Sequence, residues 1–93
     1  MTDKTEHEIL RGHDAELLLS HPLLTDAFQI IEQELTEQWQ NSPARDQEGR
    51  EKLWVSLKLL KRLQGQLTSV VETGQFAKAT LAQRVGQRLS QSF

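Results

Sequence analysis

The stretch NSPARDQEGREKLW, residues 41–54, separates two long segments whose apolar residues recur at helical spacing. Pro43 cannot continue a helix that precedes it, because proline lacks a backbone N–H and clashes with the preceding turn. Asp46 belongs to the residue types that cap helix N-termini. The stretch is therefore predicted to be the corner of a helical hairpin. Arg45 and Arg50 are predicted to pair with acidic residues of the preceding helix or of a neighbouring chain.

The segment after the corner, residues 46–73, is predicted to form one long helix. Glu48 and Glu51 favour the positive end of its dipole. An apolar seam follows at spacings of four and three residues, which is typical of a helix that packs along another helix. The seam consists of Leu53, Leu57, Leu60, Gln64, Leu67 and Val71. Gly74 suits a C-terminal cap, so we expect the helix to end there and residues 75–90 to form a fourth helix or a mobile tail.

The segment before the corner, residues 22–40, is predicted to form the second helix. Proline is well tolerated at the first helical position, so this helix is expected to begin at Pro22 and to be capped by one of the two preceding residues. Its core-facing stripe consists of Leu24, Ala27, Phe28, Ile31, Leu35, Gln38 and Trp39. Leu23 and Ile30 lie off this stripe and are expected to meet another element.

The first predicted helix covers residues 5–20 and has a weaker pattern. Polar and apolar residues mix on its predicted inner face, which consists of Ile9, His13, Glu16, Leu17 and Ser20. Gly12 weakens the segment further, because glycine inside a helix is less stable than alanine. The chain is therefore predicted to be all-α, a single domain of residues 1–93 built on a long antiparallel helical hairpin with shorter flanking helices.

The composition favours association with another chain. Hydrophobic residues make up 37% of the 93 residues, and a chain this short buries a modest share of its surface. The third predicted helix is longer than the second, so part of its seam needs cover from another polypeptide. Cysteine is absent, which excludes disulfides and thiolate metal sites. No apolar run approaches the ~18 residues of a membrane span, so we expect a soluble, intracellular protein.

Charge is distributed unevenly along the chain. Residues 1–42 carry nine acidic and two basic residues, a net charge of −7, whereas residues 43–93 carry nine basic and four acidic residues, a net charge of +5. One interpretation is that the acidic half packs against the basic half, within one chain or between two. The alternative is that the basic half contacts nucleic acid or an acidic partner. That contact would use Lys58, Lys61, Arg62, Arg84 and Arg88.

The sequence contains no recognisable catalytic or metal-binding constellation. His7, His13 and His21 are six and eight residues apart, which does not place two ligands on adjacent helical turns. The segment that begins at His7 has Arg11 where a zinc-protease motif needs its second histidine. No glycine-rich phosphate loop or nucleophile elbow occurs. We therefore predict a protein without enzymatic activity, metal or cofactor.

Four runs of the sequence resemble one family. The runs HPLLTDAFQIIEQELTEQW, NSPARDQEGREKLW, LKLLKRLQGQL and VVETG are similar to small helical proteins encoded in tailed bacteriophages and prophages, near genes for head and virion assembly. The resemblance covers roughly residues 8–76. Its most specific positions are Arg45, Asp46, Gly49, Arg50, Leu53, Trp54 and the VVETG segment that ends at Gly74. The family carries no assigned enzymatic activity, so the resemblance implies a setting, the host cytoplasm or the virion.

These observations predict a non-enzymatic phage structural or assembly protein that acts through protein–protein contact and self-association. The predicted contact surface consists of Trp39, Trp54, Leu57, Leu60, Leu67 and Val71. One alternative is a nucleic-acid-binding module that uses the basic residues named above. Another is a phage-encoded inhibitor of a host protein, in which the acidic N-terminal half mimics nucleic acid. Exposed Glu34 and Glu37 without basic partners would favour the inhibitor.

Overall fold

The structure is a computed structural model that describes the backbone of residues 4–91 and the side chains of residues 4–89. It contains three α-helices: α1 (Lys4–Leu19), α2 (Pro22–Asn41) and α3 (Gln47–Gln91). They comprise 16, 20 and 45 residues, and the described part of the chain has no strand. The prediction of an all-α fold is therefore confirmed.

The long helix α3 is shared between two compact units. Residues up to 18 form the first unit together with the residues from 67 onward, and residues 19–66 form the second unit. The first unit thus pairs α1 with the C-terminal part of α3, and the second pairs α2 with its N-terminal part. The sequence predicts one domain, whereas the structure has a separate helix pair in each unit.

The start of α2 follows from its proline and its cap. Pro22 occupies the first turn, and the Nδ1 atom of His21 accepts a hydrogen bond from the Leu23 N–H at 3.2 Å. The Thr25 hydroxyl donates to the His21 carbonyl at 3.1 Å. The predicted start of this helix at Pro22 is confirmed, with His21 as its cap.

Contacts in the second unit pair residues at similar distances from the corner. Lys61 Nζ donates to Glu32 Oε1 at 2.7 Å. Nearer the corner, Arg50 Nη1 donates to the Trp39 carbonyl at 3.3 Å. In these two contacts the earlier residue of α2 meets the later residue of α3, and the residue numbers add to 93 and 89.

The second unit covers only the centre of the α2 stripe. Phe28 is buried, and Leu24 and Leu35 are half-buried. Ala27 and Ile31 belong to the same predicted stripe but are exposed. The apolar stripe of a helix is ~100° wide or more, so the one helix that α2 contacts in this unit leaves the edges of the stripe open.

The first unit is built on a close approach of two glycines. A Cβ placed on Gly12 would lie 2.8 Å from the Gly74 Cα, and a Cβ placed on Gly74 would lie 2.8 Å from the Gly12 Cα. Ala15 and Ala77, three residues further along each helix, are also buried. Small residues at this spacing allow two helix backbones to meet closely. The contact depends on the absence of side chains at both glycines.

The predicted end of the long helix at Gly74 is wrong. A glycine that caps a helix C-terminus adopts the left-handed conformation, and no glycine in the described part of the chain has a positive φ. α3 therefore continues through Gly74 to Gln91. The predicted fourth helix or mobile tail, residues 75–90, is the C-terminal part of α3.

The predicted inner face of the first helix is also wrong. His13, Glu16 and Leu17 of that face are exposed. The buried residues of α1 are Gly12 and Ala15, because α1 meets α3 through its smallest residues. A pattern search for large apolar side chains does not find such a face.

Alanine at Gly12 or Gly74 is expected to lower the free energy of unfolding by about 1–3 kcal/mol, because the new Cβ would overlap the facing backbone. Gly65→Ala and Gly86→Ala are matched controls, since a Cβ at either position meets no atom within 4 Å. The controls are expected to raise stability by about 0.5–1 kcal/mol. Urea denaturation followed by circular dichroism measures all four, and equal stabilisation by all four would contradict the glycine contact.

Candidate protein-contact site

The corner between α2 and α3 begins with a cap on α3. Asp46 Oδ1 accepts a hydrogen bond from the Gly49 N–H at 3.1 Å, and the Asp46 carbonyl accepts from the Arg50 N–H at 3.0 Å. A Cβ at position 49 would overlap the Asp46 carboxylate, so glycine leaves room for this cap. The predicted role of Asp46 as the cap of the long helix is confirmed.

The guanidinium of Arg50 closes the other side of the corner. Its Nη1 atom donates to Ser42 Oγ at 2.9 Å, with the carbonyls of Trp39 and Ser42 at 3.3 and 3.4 Å. The guanidinium carbon also lies 4.3 Å from the centroid of the Trp39 ring, which is a cation–π distance. Arg50 thus adds a donor at the end of α2, where the Trp39 carbonyl also accepts from the Ser42 N–H at 3.2 Å and the Ser42 hydroxyl at 2.6 Å.

These contacts explain the unusual composition of the corner. Arg50 does not pair with an acidic residue of α2 as predicted, since its partners are carbonyls, a hydroxyl and a tryptophan ring. Arg45 is exposed and makes no hydrogen bond or ion pair with the residues that the structure describes. Ser42, Asp46 and Arg50 therefore have structural roles, and a functional surface must be sought beside them.

An apolar pocket opens next to the corner. Its volume is about 210 Å³, and it is lined by Leu35, Thr36, Trp39, Leu53, Trp54 and Leu57. Trp39 is 43% exposed and Trp54 is 55% exposed, and Lys58 Nζ lies 5.4 Å from the centroid of the Trp54 ring. Sites for small molecules usually measure about 300–1,000 Å³. This pocket is smaller than that range and has room for about one apolar side chain.

The six residues of the predicted contact surface are accessible to different degrees. Trp39 and Trp54 are exposed. The other four are half-buried: Leu57, Leu60, Leu67 and Val71. Leu67 and Val71 belong to the first unit, and the remaining residues belong to the second. None of the six is enclosed by its own unit.

Many other large apolar side chains are exposed as well. In the second unit they are Leu23, Ile30, Ile31, Val55, Leu59 and Leu63, and in the first unit they are Leu10, Leu17, Leu18, Phe76, Leu81, Val85 and Leu89. Leu23 and Ile30, which lie off the predicted stripe of α2, were expected to meet another element but are 75% and 54% exposed.

The C-terminal part of α3 carries a stripe whose cover decreases along the helix. Ala77, Leu81, Val85 and Leu89 recur every four residues and therefore lie along one side. Ala77 is 2% exposed, and the following three residues are 38%, 51% and 60% exposed. The apolar side of the first unit is thus covered at one end and open at the other.

The predicted basic residues lie in different surroundings. Lys61 is held by Glu32, and Lys58 lies over the Trp54 ring. Arg62 is exposed and makes no ion pair within residues 4–91. The other two, Arg84 and Arg88, belong to the first unit and have interaction partners.

The described residues also bear on metal and membrane binding. No group of three or more His, Cys, Asp or Glu side chains within residues 4–91 is arranged to hold a metal ion. None of the helices over the same range combines the length and hydrophobicity that a membrane span requires.

Lysine at position 50 is expected to lower the free energy of unfolding by about 1–2 kcal/mol. Lysine keeps the charge but lacks the planar guanidinium, which here lies over a tryptophan ring and bonds to three oxygens. Arg45→Lys is the matched control in the same corner and is expected to change stability by less than about 0.5 kcal/mol. Denaturant titration compares the two variants, and equal stability would show that Arg50 does not hold the corner.

Comparison of the chain with protein-family models, with curated proteins and with solved structures found no match. The similarity to small helical phage proteins therefore stays an expectation from the sequence. The function has to be inferred from the surfaces of this chain.

Proposed function

We propose that the protein is a non-enzymatic assembly component that acts through helix-mediated contacts with other protein chains, including copies of itself. The observation that supports this proposal is an imbalance of apolar side chains. Fifteen large apolar residues are exposed within the described residues, whereas Ala15, Phe28 and Ala77 are the buried apolar ones. A protein that acted alone would expose much of its own apolar surface to water, at a free-energy cost of about 25 cal/mol per Å².

In the proposed arrangement, α2 and the N-terminal part of α3 form an antiparallel helical hairpin. The contacts of Glu32 with Lys61 and of Trp39 with Arg50 support it, as do the caps at the corner. Two helices share only one line of contact, and stable bundles usually enclose a core between four. Further helices from a partner would complete such a core.

The charge pattern supports a role in orientation. α2 carries four acidic residues and no basic one, whereas residues 47–66 of α3 carry five basic and two acidic ones. Complementary charges at an interface contribute more to register and rate of association than to affinity. The similarity to phage proteins adds a setting to this proposal, the assembly of a phage particle in the host cytoplasm or a place in the virion.

The purified chain is expected to self-associate at micromolar concentration. Multi-angle light scattering should give a mass of at least twice the 10.7 kDa of one chain. The thermal midpoint should also rise with protein concentration, because association stabilises the folded state by mass action. A mass of one chain at every concentration, together with no binding of an apolar dye, would contradict the proposal.

A second candidate function, inhibition of a host protein, has one specific observation in its favour. Glu34 and Glu37 are exposed and make no ion pair with any residue that the structure describes. A free acidic helix can occupy a basic groove that normally binds nucleic acid. The nucleic-acid-binding alternative has less support, because Lys61 is already paired with Glu32 and Lys58 contacts Trp54.

The inhibitor hypothesis predicts that the chain captures a nucleic-acid-binding protein from host lysate and that excess duplex DNA releases it. The double variant E34Q/E37Q should lose this capture, because it removes two negative charges without changing shape. The control E6Q/E16Q removes the same charge from α1 and should retain capture. Capture that neither DNA nor E34Q/E37Q reduces would rule out mimicry by this face.

A further inference from the structure

We infer that the second copy docks on one side of the second unit, with α2 of one copy against α3 of the other, related by a two-fold axis parallel to the helices. The docking side, here termed the bundle face, consists of Leu23, Ile30, Ile31, Leu59 and Leu63. The inference rests on the self-association proposed above and adds the surface, the pairing of helices and two charge contacts.

The bundle face lies on the side opposite the tryptophan pocket. Thr36 and Trp54 line that pocket and so mark one side of the helix pair. Helical residues advance by about 100° each, so Ile31 lies about 140° around α2 from Thr36. Leu63, nine residues after Trp54, lies about 180° around α3 from it. Both exposed residues therefore point to the same, uncovered side.

Four residues of the bundle face, Ile30, Ile31, Leu59 and Leu63, occupy similar heights on the two helices, whereas Leu23 lies about two turns before Ile30. In the second unit, two residues lie level with each other when their numbers add to about 89–93. The sum is 89 for Trp39 with Arg50 and 93 for Glu32 with Lys61. Ile30 with Leu59 and Ile30 with Leu63 also add to 89 and 93. The exposed side chains of these four residues thus lie level with one another, where a second helix pair can cover them.

Charge selects between two symmetric ways of stacking the helix pairs. A two-fold axis perpendicular to the helices would set α2 against α2 of the second copy, which places four acidic residues opposite four. An axis parallel to the helices sets α2 against residues 47–66 of α3, where five basic residues outnumber two acidic ones. Like charges brought together at an interface are unfavourable, so the parallel axis is selected.

The selected symmetry determines which charged residues meet. A parallel two-fold axis keeps every helix at its own height, so each α2 residue faces those α3 residues of the second copy that lie level with it in its own chain. Asp26 would face Arg62 and Glu37 would face Lys52, because their residue numbers add to 88 and 89. These sums are close to those of the residues that meet across one helix pair. These two pairs would flank the apolar patch, in the manner of the charged flanking positions of a coiled coil.

All four flanking residues are available for this contact. Each is exposed, and Asp26, Glu37 and Arg62 make no ion pair within residues 4–91. Lys52 lies 3.4 Å from Glu48 on its own helix, with both side chains more than three-quarters exposed. An exposed pair of this kind contributes little and can be exchanged for an intermolecular one.

Charge reversal on each side of the proposed contact gives a test. D26R/E37K reverses the acidic side, and K52E/R62D reverses the basic side. Each variant alone sets like charges against each other in both seams, so its dimer dissociation constant is expected to rise at least about tenfold. An equimolar mixture restores opposite charges in both seams and should associate as tightly as the wild-type chain, which sedimentation velocity measures.

The control R45E/K78E changes the net charge by the same amount as K52E/R62D, at exposed positions away from the bundle face. It should associate like the wild type. If the wild-type chain self-associates but neither reversal weakens it, or the mixture is no tighter than the single variants, the bundle face is wrong while the proposed function stands. A monomeric wild-type chain would overturn both.

The direction of stacking can be measured independently. The chain contains no cysteine, so A44C places a single spin label in the exposed corner. The parallel axis brings the two corners of a dimer to the same end, with labels separated by on the order of 20 Å. The perpendicular axis would separate them by more than ~30 Å, the length of a 20-residue helix. A distance of more than ~30 Å between the labels, measured by pulsed electron–electron double resonance, would refute the proposed pairing.

Discussion

A helix that packs against one neighbour can hide only the side chains along a single line of contact, and each of the two units of this chain contains one such contact. The apolar stripe of a soluble helix is wider than that line. In α2 the result is a buried Phe28 with Ile31 exposed beside it. Ordering a residue costs roughly 1–2 kcal/mol of conformational entropy, and burial this limited offsets little of that cost.

The two units make their single contact in different ways. The second unit uses one large side chain, Phe28, and hydrogen bonds at the corner, where Asp46 and Arg50 satisfy the ends of both helices. The first unit uses Gly12 and Gly74, where backbone meets backbone. Close contact increases dispersion attraction between the helices, but it tolerates no added atom. Substitutions should therefore be tolerated differently in the two units. The first unit should not tolerate larger residues at Gly12 and Gly74, and the second should not tolerate changes at Asp46 and Arg50.

Local chemistry explains the parts of the fold that the sequence predicts. Asp46 and Pro22 each determine where a helix begins through contacts with residues nearby in the sequence. Those helix starts can therefore be predicted without knowledge of the rest of the chain. Gly74 is different. Glycine serves both as a helix cap and as a site of close packing, and the outcome depends on Gly12, which lies in another helix. Periodicity cannot distinguish the two uses, and this is why the predicted helix end fails.

The same limit applies to the candidate contact site. Helical spacing placed Trp39 on the core-facing stripe of α2, whereas the structure leaves it 43% exposed at a pocket that Trp54 also lines. Spacing also showed that Leu23 and Ile30 lie off the stripe. It did not reveal Leu59, because periodicity gives the angle of a residue around its helix but not the angles that a neighbour covers.

The distribution of charge gives a last reason to look beyond the single chain. If the acidic α2 and the basic part of α3 were matched for each other alone, most of their charges would meet across the helix pair. The structure shows one such ion pair, between Lys61 and Glu32, although α2 carries four acidic residues and the facing stretch of α3 five basic ones. Arg50 and Lys58 contact tryptophan rings, and Asp26, Glu37 and Arg62 are exposed. When acidic residues lie on one helix and basic residues on another, without ion pairs between most of them, each helix offers a surface complementary to the other helix in a second chain.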